Sequence, residues 1–338
     1  MASSPLDTNA PPPEQQQKPY VVEDCRGALQ VLSDGTVIRA AAPPPFAASF
    51  LGDLDDGRVE WKDAVYDTTH GLVVRMYKPT APASDESKLP VVVFFHGGGF
   101  CIGSCTWPNF HAGCLRLAAS LPAAVLSFDY RLSPEHRLPA AHHDAAAALI
   151  WLRTQLLSNP WLSNSADHRR VFVSGESAGG NFAHHLAVQF GSHGLDPIQI
   201  AGYILLMPAF TSTKPTSSEL AAADTAFLTR EICDRYCRLA LPAGADRDHP
   251  LLNPFGPASR SLEAAEVGRM LVVAADGDLL RDSNVEYAER MKAMGKDVEL
   301  VVFAGEEHAF FGVKPMSPAT GELVEIIRRF IAGAGEDE

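Results

Sequence analysis

His96-Gly97-Gly98-Gly99-Phe100 and Gly175-Glu176-Ser177-Ala178-Gly179 are the two stretches whose reading decides the fold. The first follows the apolar run Val91-Val92-Val93-Phe94-Phe95, and the second follows Val171-Phe172-Val173 and leads into a stretch of helical character. A serine between two glycines, set between a strand and a helix, reads as a nucleophile on a sharp turn. Flanking side chains would collide across that turn, so hydrogen is favoured on either side of Ser177. The turn also puts the Ala178 N–H at a helix N-terminus, where the dipole favours developing negative charge. Three glycines in succession are more than a tight turn needs. They let the main chain come close enough to a carbonyl for Gly98 and Gly99 to donate to its oxygen, with Ala178 as third donor. His96 precedes that loop and reads as orienting it by hydrogen bonding.

Such a serine needs a base, and the base needs an acid to orient it. In chains with this elbow the acid and then the histidine follow, each after a late strand. Twelve histidines compete. His308, in Gly305-Glu306-Glu307-His308-Ala309-Phe310, is the one that lies beyond the candidate strand 298–303, and it is read as the base. His184 and His185 fall on the elbow helix and cannot fold back to Ser177. His249 falls in an inserted segment and could line a pocket. For the acid, Asp276, Asp278 and Asp282 all follow the strand Met270–Ala274. Asp282 looks like a helix N-terminal residue. Spacing puts Asp278 first and Asp276 second.

The rest of the chain reads as strand, loop, helix, repeated. Val91–Phe95, Val125–Phe128, Val171–Ser174, Ile200–Met207, Met270–Ala275 and Val298–Phe303 are strand-like, with helical stretches at 109–120, 142–156, 180–190, 283–294 and 318–331. Ser317-Pro318 is a sound helix start. Val65–Tyr77 alternates around His70-Gly71, a hairpin pattern. The alternation implies an α/β fold with a mostly parallel central sheet and helices on both faces. Residues 211–250 break the pattern, with a helical piece around 219–240. An insertion of that length is expected to cover an active site, and a cap is expected from 19–55 together with 211–250. Residues 1–18 are polar, with Pro11-Pro12-Pro13 and Gln15-Gln16-Gln17, and read as a disordered tail. Residues 19–338 then form a single domain.

The composition narrows the function. With 338 residues, 46% of them apolar, the chain can bury a large core. A net charge of −13 argues against nucleic acid or an anionic membrane as partner, and gives an anionic substrate no general steering. The N-terminus shows no basic-then-apolar leader, and the apolar runs are strand-sized. Cys25, Cys101, Cys105, Cys114, Cys233 and Cys237 lack any CxxC pair and read as free thiols in a reducing compartment. A soluble cytoplasmic protein is expected, with the nucleus also open to it. It needs no metal or cofactor, and is a monomer or homodimer acting on a small molecule.

At this point the residues carry a family. From about residue 20 to 332 the chain resembles plant carboxylesterases of the hormone-sensitive-lipase type, within the α/β-hydrolase fold. The marks are HGGGF at 96–100, the run Asp129–Ala140, GESAGGN at 175–181, and Asn253-Pro254. The resemblance implies a Ser177–His308–Asp278 triad, since in that family the acid stands before a short run like Asp278-Leu279-Leu280-Arg281-Asp282. It implies hydrolysis of a small apolar ester or lactone through an acyl-enzyme. The string at 96–109 looks closest to the carboxylesterase-15 type, which implies a strigolactone as substrate. The expected pocket lies near Phe100, Trp107, Phe210, Phe227 and Phe310. Arg131, Glu135, His136 and Asp144 are expected to form a charged network that holds the glycine loop in shape. The same family includes gibberellin receptors, whose catalytic histidine is replaced, and a hydroxyisoflavanone dehydratase, a lyase on the same site. These are the two alternatives.

Overall fold

The computed structural model describes residues 18–48, 56–80, 88–191 and 194–333. The tail expected over 1–18 lies outside the described residues except for Lys18, as do 49–55 of the expected cap segment.

Buried runs of β-branched and aromatic residues build the sheet. Eight strands form it: β4 (Val59–Asp67), β5 (Leu72–Pro79), β6 (Leu89–Phe95), β7 (Ala124–Phe128), β8 (Ala166–Glu176), β9 (Ile200–Leu206), β10 (Met270–Ala275) and β11 (Val298–Phe303). Their order is β11-β10-β9-β8-β6-β7-β5-β4. From β11 to β7 every pairing is parallel, while β5 runs antiparallel to both β7 and β4. Every residue of β6, β7 and β10 is buried, as a strand covered on both faces must be. The edge strand β4, by contrast, exposes Glu60 and Trp61.

Alternate side chains go to opposite faces, and two cores result. Val91, Val93 and Phe95 join one core, which takes in helices Ala140–Ser158, Ala178–Phe190 and Arg281–Ala293. Val92 and Phe94 join the other, under helices Pro108–Ser120 and Pro318–Ala332. The last helix starts as its sequence suggests, with Ser317 Oγ accepting from the Thr320 N–H and Pro318 in the first turn. Strands and helices match the sequence reading closely, apart from boundaries of a few residues. The single helical piece expected around 219–240 is two helices, Ser217–Ala221 and Arg230–Ala240. Thr216 and Thr229 each cap one of them, and that is why they are separate.

A second, antiparallel sheet holds β1 (Val21–Cys25), β2 (Leu29–Leu32) and β3 (Val37–Arg39). Its strands are too short and too exposed to show a clear alternation. Ion pairs tie it to helix Arg230–Ala240, with Arg235 and Arg238 both reaching Glu23, at 2.9 and 3.0 Å. Elsewhere, Arg131 grips the buried Asp144 at 2.7 Å, next to the strand that feeds the glycine loop's neighbour. Removing one partner of such a pair leaves an uncompensated buried charge. Arg131→Met is expected to cost about 3–5 kcal/mol in urea unfolding. A loss below about 1 kcal/mol would mean that water or the Arg131 N–H already satisfies the carboxylate.

Candidate active site

Strand β8 ends at Glu176 and helix Ala178–Phe190 begins two residues later, with Ser177 alone between them. Ser177 has φ 54°, in the left-handed region that an L-residue enters only when its surroundings hold it there. Three main-chain hydrogen bonds do so. The Ser177 N–H donates to the Leu206 carbonyl at 2.8 Å, and the Ser177 carbonyl accepts from the N–H groups of Asn181 and Ala209. The flanking glycines are sterically required. A Cβ at Gly175 would lie 2.2 Å from the Gly179 carbonyl carbon, and one at Gly179 would lie 1.9 Å from the Phe95 oxygen.

The glycine loop leaves the end of β6. Gly98 and Gly99 have φ 115° and 58°, and the Gly98 carbonyl is taken up by the N–H groups of Cys101 and Ile102. A Cβ at Gly99 would lie 2.2 Å from the Tyr236 ring, so helix Arg230–Ala240 packs directly on this loop. The buried His96 holds the loop from beneath. Its Nδ1 lies 2.7 Å from the Gly97 carbonyl, and its ring stacks on Tyr130, whose hydroxyl donates to the His96 carbonyl. Two groups outside the expected charged network complete the support. Arg39, on β3, donates to the carbonyls of Cys101 and Ser133 and pairs with Glu135. Asp129 accepts from the Cys105 N–H at 2.6 Å. Of the expected network, Glu135 reaches the loop through Arg39, Arg131 and Asp144 pair with each other, and His136 stands against the His70 ring.

Asp278 follows β10 and His308 follows β11. The His308 Nδ1–H donates to Asp278 Oδ2 at 2.7 Å, and both side chains are buried. Asp278 Oδ1 accepts from the Leu280 N–H, which fixes the carboxylate plane. The other two aspartates are engaged elsewhere: Asp276 accepts from the Gly305 N–H, and Asp282 from the Ser218 N–H.

Ser177 and His308 line one cavity of ≈ 1550 Å³ of empty space, part of it open to solvent. Gly98, Gly99, Phe100, Trp107 and Phe227 line it as well. Residues 92–312 match the family described as the alpha/beta hydrolase fold. The chain belongs to that α/β-hydrolase family. It is 36% identical over 293 residues to probable carboxylesterase 6 of Arabidopsis thaliana, covering 86% of this chain and 84% of that one. It is 38% identical over 251 residues to the gibberellin receptor GID1C of the same plant, covering 71% of each. Among solved structures, the thermophilic carboxylesterase EstE1, cloned from a metagenomic library, superposes with a TM-score of 0.70 at 30% identity. That match covers 81% of this chain and 89% of the other.

Two pocket assignments in this hydrolase need correction. Phe210 is buried against His184 and Tyr287 and is not in the cavity wall. Phe310 is buried against Phe303 in the second core, and its neighbour Phe311 faces the cavity instead. His249 is not in the cavity wall either; it is held by the Leu251 N–H. Among the lining residues given no role in the sequence reading are Arg26, Phe46 and Glu176. Arg26, at φ 57°, stacks over Phe227 at 4.6 Å. Phe46 meets Trp107 edge-on. Glu176, beside Ser177, is buried, and burial pushes its carboxyl up to about 7. All six cysteines are free and buried. Among the described residues no helix is long and apolar enough to cross a membrane, and no cluster of ligands could hold a metal ion.

Burial pulls the His308 pKa down, but the charge and hydrogen bond of Asp278 outweigh it and leave the imidazole above its ordinary value of 6.5. A folded-state pKa above the unfolded one gives stability that is complete below the unfolded value and is lost as pH rises through the folded one. The difference in unfolding free energy between wild type and Asp278→Asn should therefore be largest below about pH 6.5 and shrink above it. A difference that grew with rising pH would show that the pair holds His308 neutral.

Proposed function

We propose that this hydrolase is a carboxylic ester hydrolase with a Ser177–His308–Asp278 triad. One observation carries the reading: a buried histidine–carboxylate pair at 2.7 Å shares a cavity with a serine held at positive φ between strand and helix. Asp278 holds the proton on His308 Nδ1 and leaves Nε2 to accept one. His308 takes the Ser177 proton as the hydroxyl attacks an ester carbonyl. The N–H groups of Gly98, Gly99 and Ala178 receive the oxyanion, each donor being worth about 10²–10³ in rate. The protonated imidazole then gives its proton to the leaving alcohol. Water, activated by the same imidazole, releases the acid.

The sheet of β1–β3 with its following segment, and residues 211–250, act together as the cap. The Arg235 and Arg238 pairs with Glu23 join them, and Arg26, Phe46, Phe227 and Tyr236 bring both to the cavity wall. The apolar wall suits a small apolar ester or lactone, and a strigolactone is the named candidate. The gibberellin-receptor likeness supports a second reading, that the chain binds a hormone without turning it over. The histidine–carboxylate pair favours catalysis, because binding alone has no use for a buried base paired with a carboxylate in the same cavity as the serine.

Purified protein is expected to hydrolyse p-nitrophenyl butyrate, and Ser177→Ala or His308→Ala to lower kcat by at least about 10³-fold. Unchanged turnover in Ser177→Ala would remove the triad. Incubation with a strigolactone, followed by mass spectrometry, is expected to yield a cleaved enol ether or opened lactone. Recovery of intact strigolactone from enzyme that still hydrolyses butyrate would exclude this substrate and leave the esterase.

A further inference from the structure

The cavity does not end at Ser177. It continues away from the cap into the seam between helix Pro108–Ser120 and helix Pro318–Ala332, as the spacing of the wall residues shows. On the first helix these include Asn109, Gly113, Arg116 and Leu117, at i, i+4, i+7 and i+8 and so on one face. On the second, Thr320, Leu323, Val324 and Ile327, at i, i+3, i+4 and i+7, share one face as well. Phe94 of β6 forms the floor. Two helices that pack on a sheet ordinarily interdigitate across such a seam. Here a Cβ at Gly113 or at Gly312 would meet nothing within 4 Å. The seam is open space with an apolar lining.

Its polar groups are unusual. Arg116 Nη1 and Asn109 Oδ1 are both buried and have no hydrogen-bond partner. Burial alone acts on the Arg116 guanidinium, lowering its pKa, with no carboxylate to offset it. Other cavity-lining or neighbouring cations in this chain have company: Arg26 has two aromatic rings, and Arg247 has Glu219 and Asp234. Arg116 is half-buried as a residue, but its Nη1 is shut off from water with its donors unmade, and its planar fork fits a carboxylate.

We propose that this seam is a second binding chamber that takes an apolar chain ending in a carboxylate, with Arg116 reading the carboxylate. The inference deepens the ester-hydrolase reading and rests on it for the claim that the ligand is a substrate. The substrate class is then an ester of an acid with a second, distal carboxylate. Asn109 and Arg116 are seven residues apart, about 10 Å along the helix. An extended chain advances about 1.2 Å per bond, so about eight bonds cover the stretch of wall between these two residues. An eight-carbon diacid is the matching probe. Asn109, whose amide can face either way, would meet an oxygen or N–H along the chain.

The test is calorimetric, on the full chain carrying Ser177→Ala so that no probe is consumed. Monomethyl suberate is compared with methyl octanoate. The half-acid is expected to bind at least about tenfold more tightly, as one charge-assisted hydrogen-bonded pair allows. Adding Arg116→Met should reduce that ratio to near one, and Arg116→Lys should restore part of it. Gly113→Leu, which fills the seam, should weaken both ligands by about tenfold or more. Equal affinity for the two probes, or a ratio that survives Arg116→Met, overturns the proposal, as does full affinity in Gly113→Leu. A binding ratio that holds in a protein whose Ser177 form cleaves no p-nitrophenyl ester supports the chamber and removes the esterase reading instead. In active enzyme, the kcat/KM of mono-p-nitrophenyl suberate over p-nitrophenyl octanoate should fall by the same factor in Arg116→Met.

Discussion

Strand β6 and the helix that begins at Ala178 meet backbone to backbone, so closely that a methyl group at Gly179 would stand 1.9 Å from the Phe95 oxygen. No side chain separates them. That contact sets the distance between Ser177 and the loop that leaves β6 at His96, and the rest of the site is arranged around it. Gly175 closes on Gly179 in the same manner, and Gly180 approaches Pro208. Because interiors are packed to crystal density, a larger residue at any of these points would move a main chain rather than a side chain. The strained φ of Ser177 is held by the same crowding and by its bonds to Leu206, Asn181 and Ala209.

This is why the site was so legible in the amino-acid sequence. Where backbone must touch backbone only glycine serves, and His96–Phe100 and Gly175–Gly179 display that requirement openly. The parallel strands were legible for a related reason: buried on both faces, they are unbroken apolar runs. His308 and Asp278 were chosen by their order along the chain, and the structure brings them within 2.7 Å of each other. Aromatic identity was a poorer guide. Phe310 and Phe311 are neighbours of one type, yet one fills the core and the other the cavity, and nothing local distinguishes them. Arg39 and Arg26 left no signal, because each acts at the end of a long side chain, on residues remote in sequence. The β1–β3 sheet was missed because its strands have three to five residues and half-exposed valines.

Charge works on two scales here. The net −13 spreads over the surface and repels an anion at long range, where salt screens it. Inside the cavity the local balance is different: Arg26 and Arg116 both line it, the second with one guanidinium nitrogen buried. A protein can be a poor collector of anions and a good discriminator among those that arrive, because encounter rate depends on the summed field and selection on the nearest groups. The thiols lie outside this balance, since burial raises the pKa of Cys25, Cys101, Cys105 and Cys114 and so suppresses the thiolate.

The pairing of β10 with β11 runs in register from Met270↔Val298 to Ala275↔Phe303. Asp278 and His308 sit only a few residues past the ends of those strands. A ladder has no half-steps: a slip of one residue in either strand turns every side chain to the opposite face. The alignment of carboxylate and imidazole therefore cannot drift by degrees as residues elsewhere change. It is kept whole or lost whole, and it is guarded by twelve strand residues, ten of them buried or partly buried.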